Sequence, residues 1–166
     1  MTDHQADKLR QILDSIRVDY ELIPCDPELA DTPVFVKHYG YALEDCANTI
    51  VVKSKTGEKA YAACVVLATC RLDVNHTVRK KLGARRVSFA GAQETQEITG
   101  MTVGGVTAIG LPHNLRLWVD SAVRQRQTIV LGGASRSWKI VTRPEIFDHT
   151  PNTEFVAGLA KPIEPV

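Results

Sequence analysis

Apolar residues recur at Leu9, Ile12, Leu13 and Ile16, the spacing of one helical face, so residues 6–16 are predicted to form an amphipathic helix. A short strand from Val18 to Ile23 is expected next, ended by Pro24 and Pro27. Thr32-Pro33 starts a second helix, with proline in its first turn, and Gly40 stops it. The β-branched runs Thr49–Ser54 and Lys59–Ala68 flank Lys55-Thr56-Gly57-Glu58, which marks a hairpin. Asp73-Val74-Asn75 can cap a helix running to Gly83, with Val74, Val78 and Leu82 facing inward. Arg86–Phe89 reads as a strand and Ala92–Thr99 as a short helix stopped by Gly100. Strands follow at Leu115–Val119 and Thr128–Leu131, and a second hairpin turns across Gly132-Gly133 into Ser137–Val141. Thr142-Arg143-Pro144-Glu145 matches a capping box, so a last helix is expected there. Residues 151–166 hold three prolines and are expected to be a loosely attached tail.

Some strands come as hairpins and others are separated by helices. That alternation predicts an α+β domain around a mixed, strongly twisted sheet, not a doubly wound parallel one. There is no internal repeat or low-complexity segment, and 166 residues fit one domain over 1–166 able to bury its own core.

Composition changes this picture only by exclusion. A hydrophobic content of 44% with 23% charged residues is ordinary for a globular chain. No apolar run approaches the roughly 20 residues of a membrane helix, so no membrane partner is expected. The start, Met1-Thr2-Asp3-His4-Gln5, lacks the basic and apolar regions of a secretory signal, which makes a cytoplasmic location the expectation. Cys25, Cys46, Cys64 and Cys70 form no Cys-x-x-Cys pair and have no close histidine; buried free thiols are expected rather than a metal site. A net charge of +1 does not announce a nucleic-acid binder. The cluster Arg79, Lys80, Lys81, Arg85, Arg86 suits either a local phosphate contact or a solvated helix face.

The candidate chemistry centres on the run from Gly100 to Pro112, where Gly100, Gly104, Gly105 and Gly110 interrupt branched apolar residues. Glycine permits positive φ and close approach to the backbone. Lys53, ending a β-branched run, is the sharpest charged candidate; otherwise its stem lies along the sheet and its ammonium reaches water. No Gly-x-Ser-x-Gly elbow, phosphate loop or dinucleotide fingerprint occurs, and the five histidines are scattered. What remains is a site of backbone amides, hydroxyls and a lysine, which suits an already activated ester. Amides aimed at a developing oxyanion supply roughly 2.7–4 kcal/mol each.

Val51-Val52-Lys53, Leu72-Asp73-Val74-Asn75, Thr99-Gly100 with Gly104-Gly105-Val106-Thr107, and Gly132-Gly133 with Ser135-Arg136 occur in an order that resembles the YbaK / prolyl-tRNA-synthetase-associated domain family. The resemblance spans about Val18 to Val141. It implies a barrel-like mixed sheet with flanking helices and hydrolysis of wrongly charged aminoacyl-tRNA, without metal or organic cofactor. It also implies Lys53, Gly104 and Gly105 as catalytic positions, and Thr107, Ala108, Gly132, Gly133, Ser135, Asn75 and Asp120 as substrate-binding ones. The partner implied is the acceptor end of aminoacyl-tRNA, with an aminoacyl-tRNA synthetase as a further candidate. Two departures stand out: Ala108 occupies the place of the family's frequent Gly-x-x-x-Pro proline, and Lys139 stands where some relatives carry an acid, which bears on the amino acid accepted.

The resulting expectation is a deacylase working in trans. Its rival is a non-catalytic module that binds aminoacyl-tRNA or a small ligand in the same pocket; a third reading is a hydrolase of small esters or thioesters that needs no RNA.

Overall fold

A computed structural model describes residues 4–163. The predicted periodicities produce α1 (His4–Ile16), α2 (Thr32–Tyr39) and α4 (Ala92–Thr99). Gly40 and Gly100 close α2 and α4 in the left-handed conformation, at φ 79° and 72°, as stops without a Cβ can. The helix expected from Asp73 to Gly83 begins as a single π-helical turn, Val74–Val78, and becomes α-helical only over α3 (Arg79–Leu82). A further short helix, α5 (Ser121–Arg124), carries no apolar period long enough to be legible in the sequence.

The strands are β1 (Glu21–Pro24), β2 (Ala47–Ser54), β3 (Tyr61–Leu67), β4 (Cys70–Leu72), β5 (Val87–Phe89), β6 (Arg116–Asp120), β7 (Ile129–Gly132), β8 (Trp138–Thr142), β9 (Thr153–Val156) and β10 (Ala160–Pro162). Five of them form a mixed sheet in the order β5-β2-β3-β6-β9, with β3, β6 and β9 parallel and the two β2 pairings antiparallel. Helices flank this sheet, as an α+β architecture requires. A three-stranded antiparallel sheet, β1-β8-β7, stands beside it.

β3 has apolar residues on both faces because both faces are covered. Ala63, Val65 and Leu67 point into the main core with Leu9, Leu13, Leu117 and Ile140. Ala62, Cys64 and Val66 point the other way, against Val78, Trp118 and Leu159. A third cluster around Phe35, Cys25, Cys46 and Val130 seats α2 on the small sheet. Cys25, Cys46 and Cys64 are buried, Cys70 is half-buried, and all four are free thiols.

Two expectations fail for physical reasons. Thr142 does not cap a helix: its hydroxyl donates to the Asp19 carbonyl at 2.8 Å, and only a 3-10 turn, Pro144–His149, follows. Residues 151–163 are not loosely attached, since β9 pairs with β6 and β10 with β4. Pro162 is tolerated because β10 is an edge strand. Residues 164–166 of the expected tail lie outside the described residues.

Candidate functional site

The two sheets meet through one parallel bridge, Cys46 to Val130, at the start of β2. Farther along β2, β5 takes up the same edge only at its Val52–Phe89 pair, with Ala90 N–H donating to the Val51 carbonyl at 2.9 Å. Between these points β2 has no strand on that edge. A cleft of about 360 Å³ opens there, lined by Asn48, Thr49 and Ile50 on one side and by Gly132 and Lys139 on the other. The start of α2 (Asp31, Thr32), Ala92 and Thr95 of α4, and the loop residues Val103, Gly104 and Val106 complete the walls.

The glycines fit this geometry in an unexpected way. The loop at 104–106 and the turn at 132–135 do not face each other across a ligand; they abut. A Cβ on Gly105 would overlap the backbone carbonyl of Ser135 and lie 2.6 Å from its Cα. A Cβ on Gly132 would overlap the Val106 carbonyl and lie 2.9 Å from that of Gly105. Gly105 also spends its N–H on the Thr102 carbonyl, at 2.9 Å. Gly104, at φ 90°, touches the side chain of Arg136, whose guanidinium bonds Asp31 at 3.1 Å and the Pro27 carbonyl at 2.9 Å.

Of the ten residues singled out from the sequence, Gly104 and Gly132 line the cleft. Gly105, Gly133 and Ser135 lie just behind it; Gly133 packs on the Trp138 backbone. Thr107 and Ala108 are buried in the loop, where the Thr107 N–H meets Met101 Sδ at 3.4 Å and Ala108 joins the main core. Asn75 is exposed on the π-helical turn, its carbonyl accepting from Arg79. Asp120 is buried at the end of β6 and accepts from the Ala160 N–H at 3.3 Å. Burial pushes its carboxyl above the ordinary aspartate value, opposed by backbone N–H groups from Ala160, Ala122, Leu159 and Ser121.

Lys53 is not among the residues lining the cleft. It lies four residues beyond Thr49 on β2, and its ammonium bonds Glu94 Oε1 at 2.8 Å. The Tyr61 hydroxyl donates to Glu94 Oε2 at 2.6 Å. The hydrogen bond from Lys53, and then that from Tyr61, hold the Glu94 carboxyl below its ordinary range. Lys53 therefore ties β2 to α4, the helix that brings Ala92 and Thr95 to the cleft.

The lysine that does line the cleft is Lys139 of β8, opposite Gly132 in the β7–β8 register. It is 7% exposed. Its ammonium donates to the Ala30 carbonyl at 2.8 Å and sits 5.1 Å from the centre of the Phe35 ring. Burial lowers its pKa from the usual lysine value. Thr49 adds a second unusual group, a buried hydroxyl with no hydrogen-bond partner among the described residues. The available signal for Lys139 was a charge on the inward-facing side of a short apolar strand; Asn48, Thr49 and Thr95 gave none, being ordinary strand and helix residues. Among the described residues no three His, Cys, Asp or Glu side chains gather as a metal site, and no helix is long and apolar enough to cross a membrane.

Comparison with known proteins matches residues 26–147 to the family model of the aminoacyl-tRNA editing domain. A proline–tRNA ligase of Brachyspira hyodysenteriae (strain ATCC 49526 / WA1) is 23% identical over 110 residues, 64% of this chain and 18% of the ligase. The chain thus spans under a fifth of that relative's length. Among solved structures, "a putative trans-editing enzyme for prolyl tRNA synthetase" superposes with a TM-score of 0.80 at 16% identity, covering 97% of this chain and 99% of that one. Hypothetical protein APE2540 superposes with a TM-score of 0.80 at 23% identity, covering 93% and 99%. At these identities the likeness speaks for the fold.

Proposed function

The chain belongs to the aminoacyl-tRNA editing domain family, and from that membership we propose that it is a hydrolase that deacylates mischarged aminoacyl-tRNA in trans. The observation that carries this reading is positional. Every residue lining the cleft, from Ala30 to Lys139, falls inside the matched segment 26–147.

The chemistry of the lining agrees. The walls carry Thr32, Thr49, Thr95, Asn48 and glycine backbone, with the Thr32 hydroxyl donating to Asn48 Oδ1 at 3.1 Å and that of Thr95 to the Ala90 carbonyl at 3.4 Å, and include neither a histidine nor a cysteine. An aminoacyl ester is activated already, so such a site has mainly to position a water and the carbonyl and to stabilise the oxyanion. Gly104 and Gly132 let the ester lie close to backbone. Gly105, Gly133 and Ser135 fix the shape of that wall from behind, and Thr107 and Ala108 anchor the loop in the core. Lys53 is a positioning residue acting through Glu94 and α4. The partner is the acceptor end of the charged tRNA, with the synthetase that misloads it as a second partner.

The test is a panel of mischarged tRNAs incubated with the purified protein. Release of free amino acid above the spontaneous rate is the expected result. Protection of the ester would leave a binding module instead, and hydrolysis of small esters without RNA would point to a different substrate class.

A further inference from the structure

Lys139 is a cation placed where a protein seldom leaves one. It is nearly fully buried, yet among the described residues no carboxylate lies within 4 Å of its ammonium. The one carboxylate lining the cleft, Asp31, is bonded to Arg136. The nearby thiols of Cys25 and Cys46 are pushed up by burial, that of Cys46 to about 11, so neither supplies a thiolate near neutral pH. An ammonium carries three donors; the bond to Ala30 uses one, and the Phe35 ring offers a cation–π contact. The first turn of α2 begins on the same wall with Thr32, and a helix start favours negative charge. Thr49, whose buried hydroxyl has no partner among the described residues, lines the same cleft. The wall of this cleft therefore holds a cation with donors left unfilled.

We propose that Lys139 selects the acyl group: the cleft takes an aminoacyl ester whose side chain ends in an oxygen acceptor, a carboxylate above all, and rejects one ending in a cation. This rests on the editing reading above. The alternative source of an anion, a phosphate of the acceptor end, fits less well. Lys139 is only 7% exposed and is hemmed by Ala30 and Phe35, whereas a polynucleotide phosphate carries bulk on two sides. A side-chain terminus carries bulk on one side only. An alkyl side chain would leave the ammonium desolvated with two of its three donors unfilled, and sites built to bond a polar group discriminate strongly against analogues lacking it.

The experiment uses stable amide-linked analogues of 3′-aminoacyl-adenosine carrying aspartyl, asparaginyl, leucyl or lysyl groups, with binding measured by calorimetry on the whole protein. Aspartyl should bind at least about tenfold tighter than leucyl, the scale of a hydrogen bond to a charged group, with asparaginyl between them and lysyl weakest. Lys139→Met should erase the aspartyl advantage, and Lys139→Glu should turn the preference toward lysyl. Wild-type protein alone already decides the matter if a variant fails to fold, because equal aspartyl and leucyl affinities overturn the proposal. So does the absence of binding by any analogue. Adenosine 5′-monophosphate and inorganic phosphate form the second arm. If Lys139→Met weakens them as much as it weakens the aspartyl analogue, the lysine serves a phosphate and the proposal falls. The editing reading fails separately, when analogues bind in the expected order and no charged tRNA is hydrolysed.

Discussion

Gly105 rests directly on the backbone of Ser135, so that a Cβ at 105 would lie 2.6 Å from the Ser135 Cα. Two segments thirty residues apart are thereby locked into one cleft wall. The need for glycine here comes from this packing. Gly105→Ala should destabilise the protein by about 1–3 kcal/mol, the usual scale of forced overpacking. Thermal melts with and without the substitution check this. An unchanged melting temperature would show that the wall yields freely and would return Gly105 to a role in substrate approach.

Lys53→Ala should lower deacylation by no more than about fivefold, the kinetic scale of one half-exposed ion pair. A loss of a hundredfold would place the ammonium on the ester. The stability difference has a defined pH dependence. Glu94 titrates below its ordinary value in the folded protein because of Lys53 and then Tyr61. Its contribution is present above the unfolded glutamate value and is lost as the pH falls through the lowered one. The small melting difference between wild type and Lys53→Ala should therefore close on the acid side.

Lys139 titrates in the opposite sense. Burial lowers its pKa from 10.5, so the folded state holds its proton less tightly than the unfolded chain. The cost of that buried charge is fully present below the lowered value and is relieved as the pH rises from there toward 10.5. Melting curves of wild type and Lys139→Met should converge or cross in favour of wild type over that alkaline interval. A constant gap would mean that the ammonium is solvated.

Asp120→Ala should lower stability by about 1–3 kcal/mol, because its carboxylate is buried and receives the Ala160 N–H where β10 begins. Rates on charged tRNA, measured at a temperature where the variant stays folded, should change little. A selective loss of turnover would bring Asp120 into the site.

What the sequence by itself determined is the local structure. The apolar period of Leu9, Ile12 and Leu13 forms α1, the stops at Gly40 and Gly100 close their helices, and both hairpins lie where turn residues interrupt β-branched runs. Each of these is decided by residues within a turn or two of one another. The order of its glycine pieces likewise led to the family. Only the tertiary structure decided which lysine stands in the cleft. Lys53 and Lys139 both sit in β-branched strands, and the local pattern of each strand does not say which one faces the cleft. The Cys46–Val130 bridge and the late start of β5 set Lys139 across from the open β2 edge and leave Lys53 facing Glu94. Thr142 lost its cap to Asp19, 123 residues away, and the proline-bearing C-terminal segment gained order from β6 and β4 rather than from itself. Local periodicity fixes backbone conformation, whereas the neighbours of a side chain depend on pairings between distant segments, and the cleft is made of those neighbours.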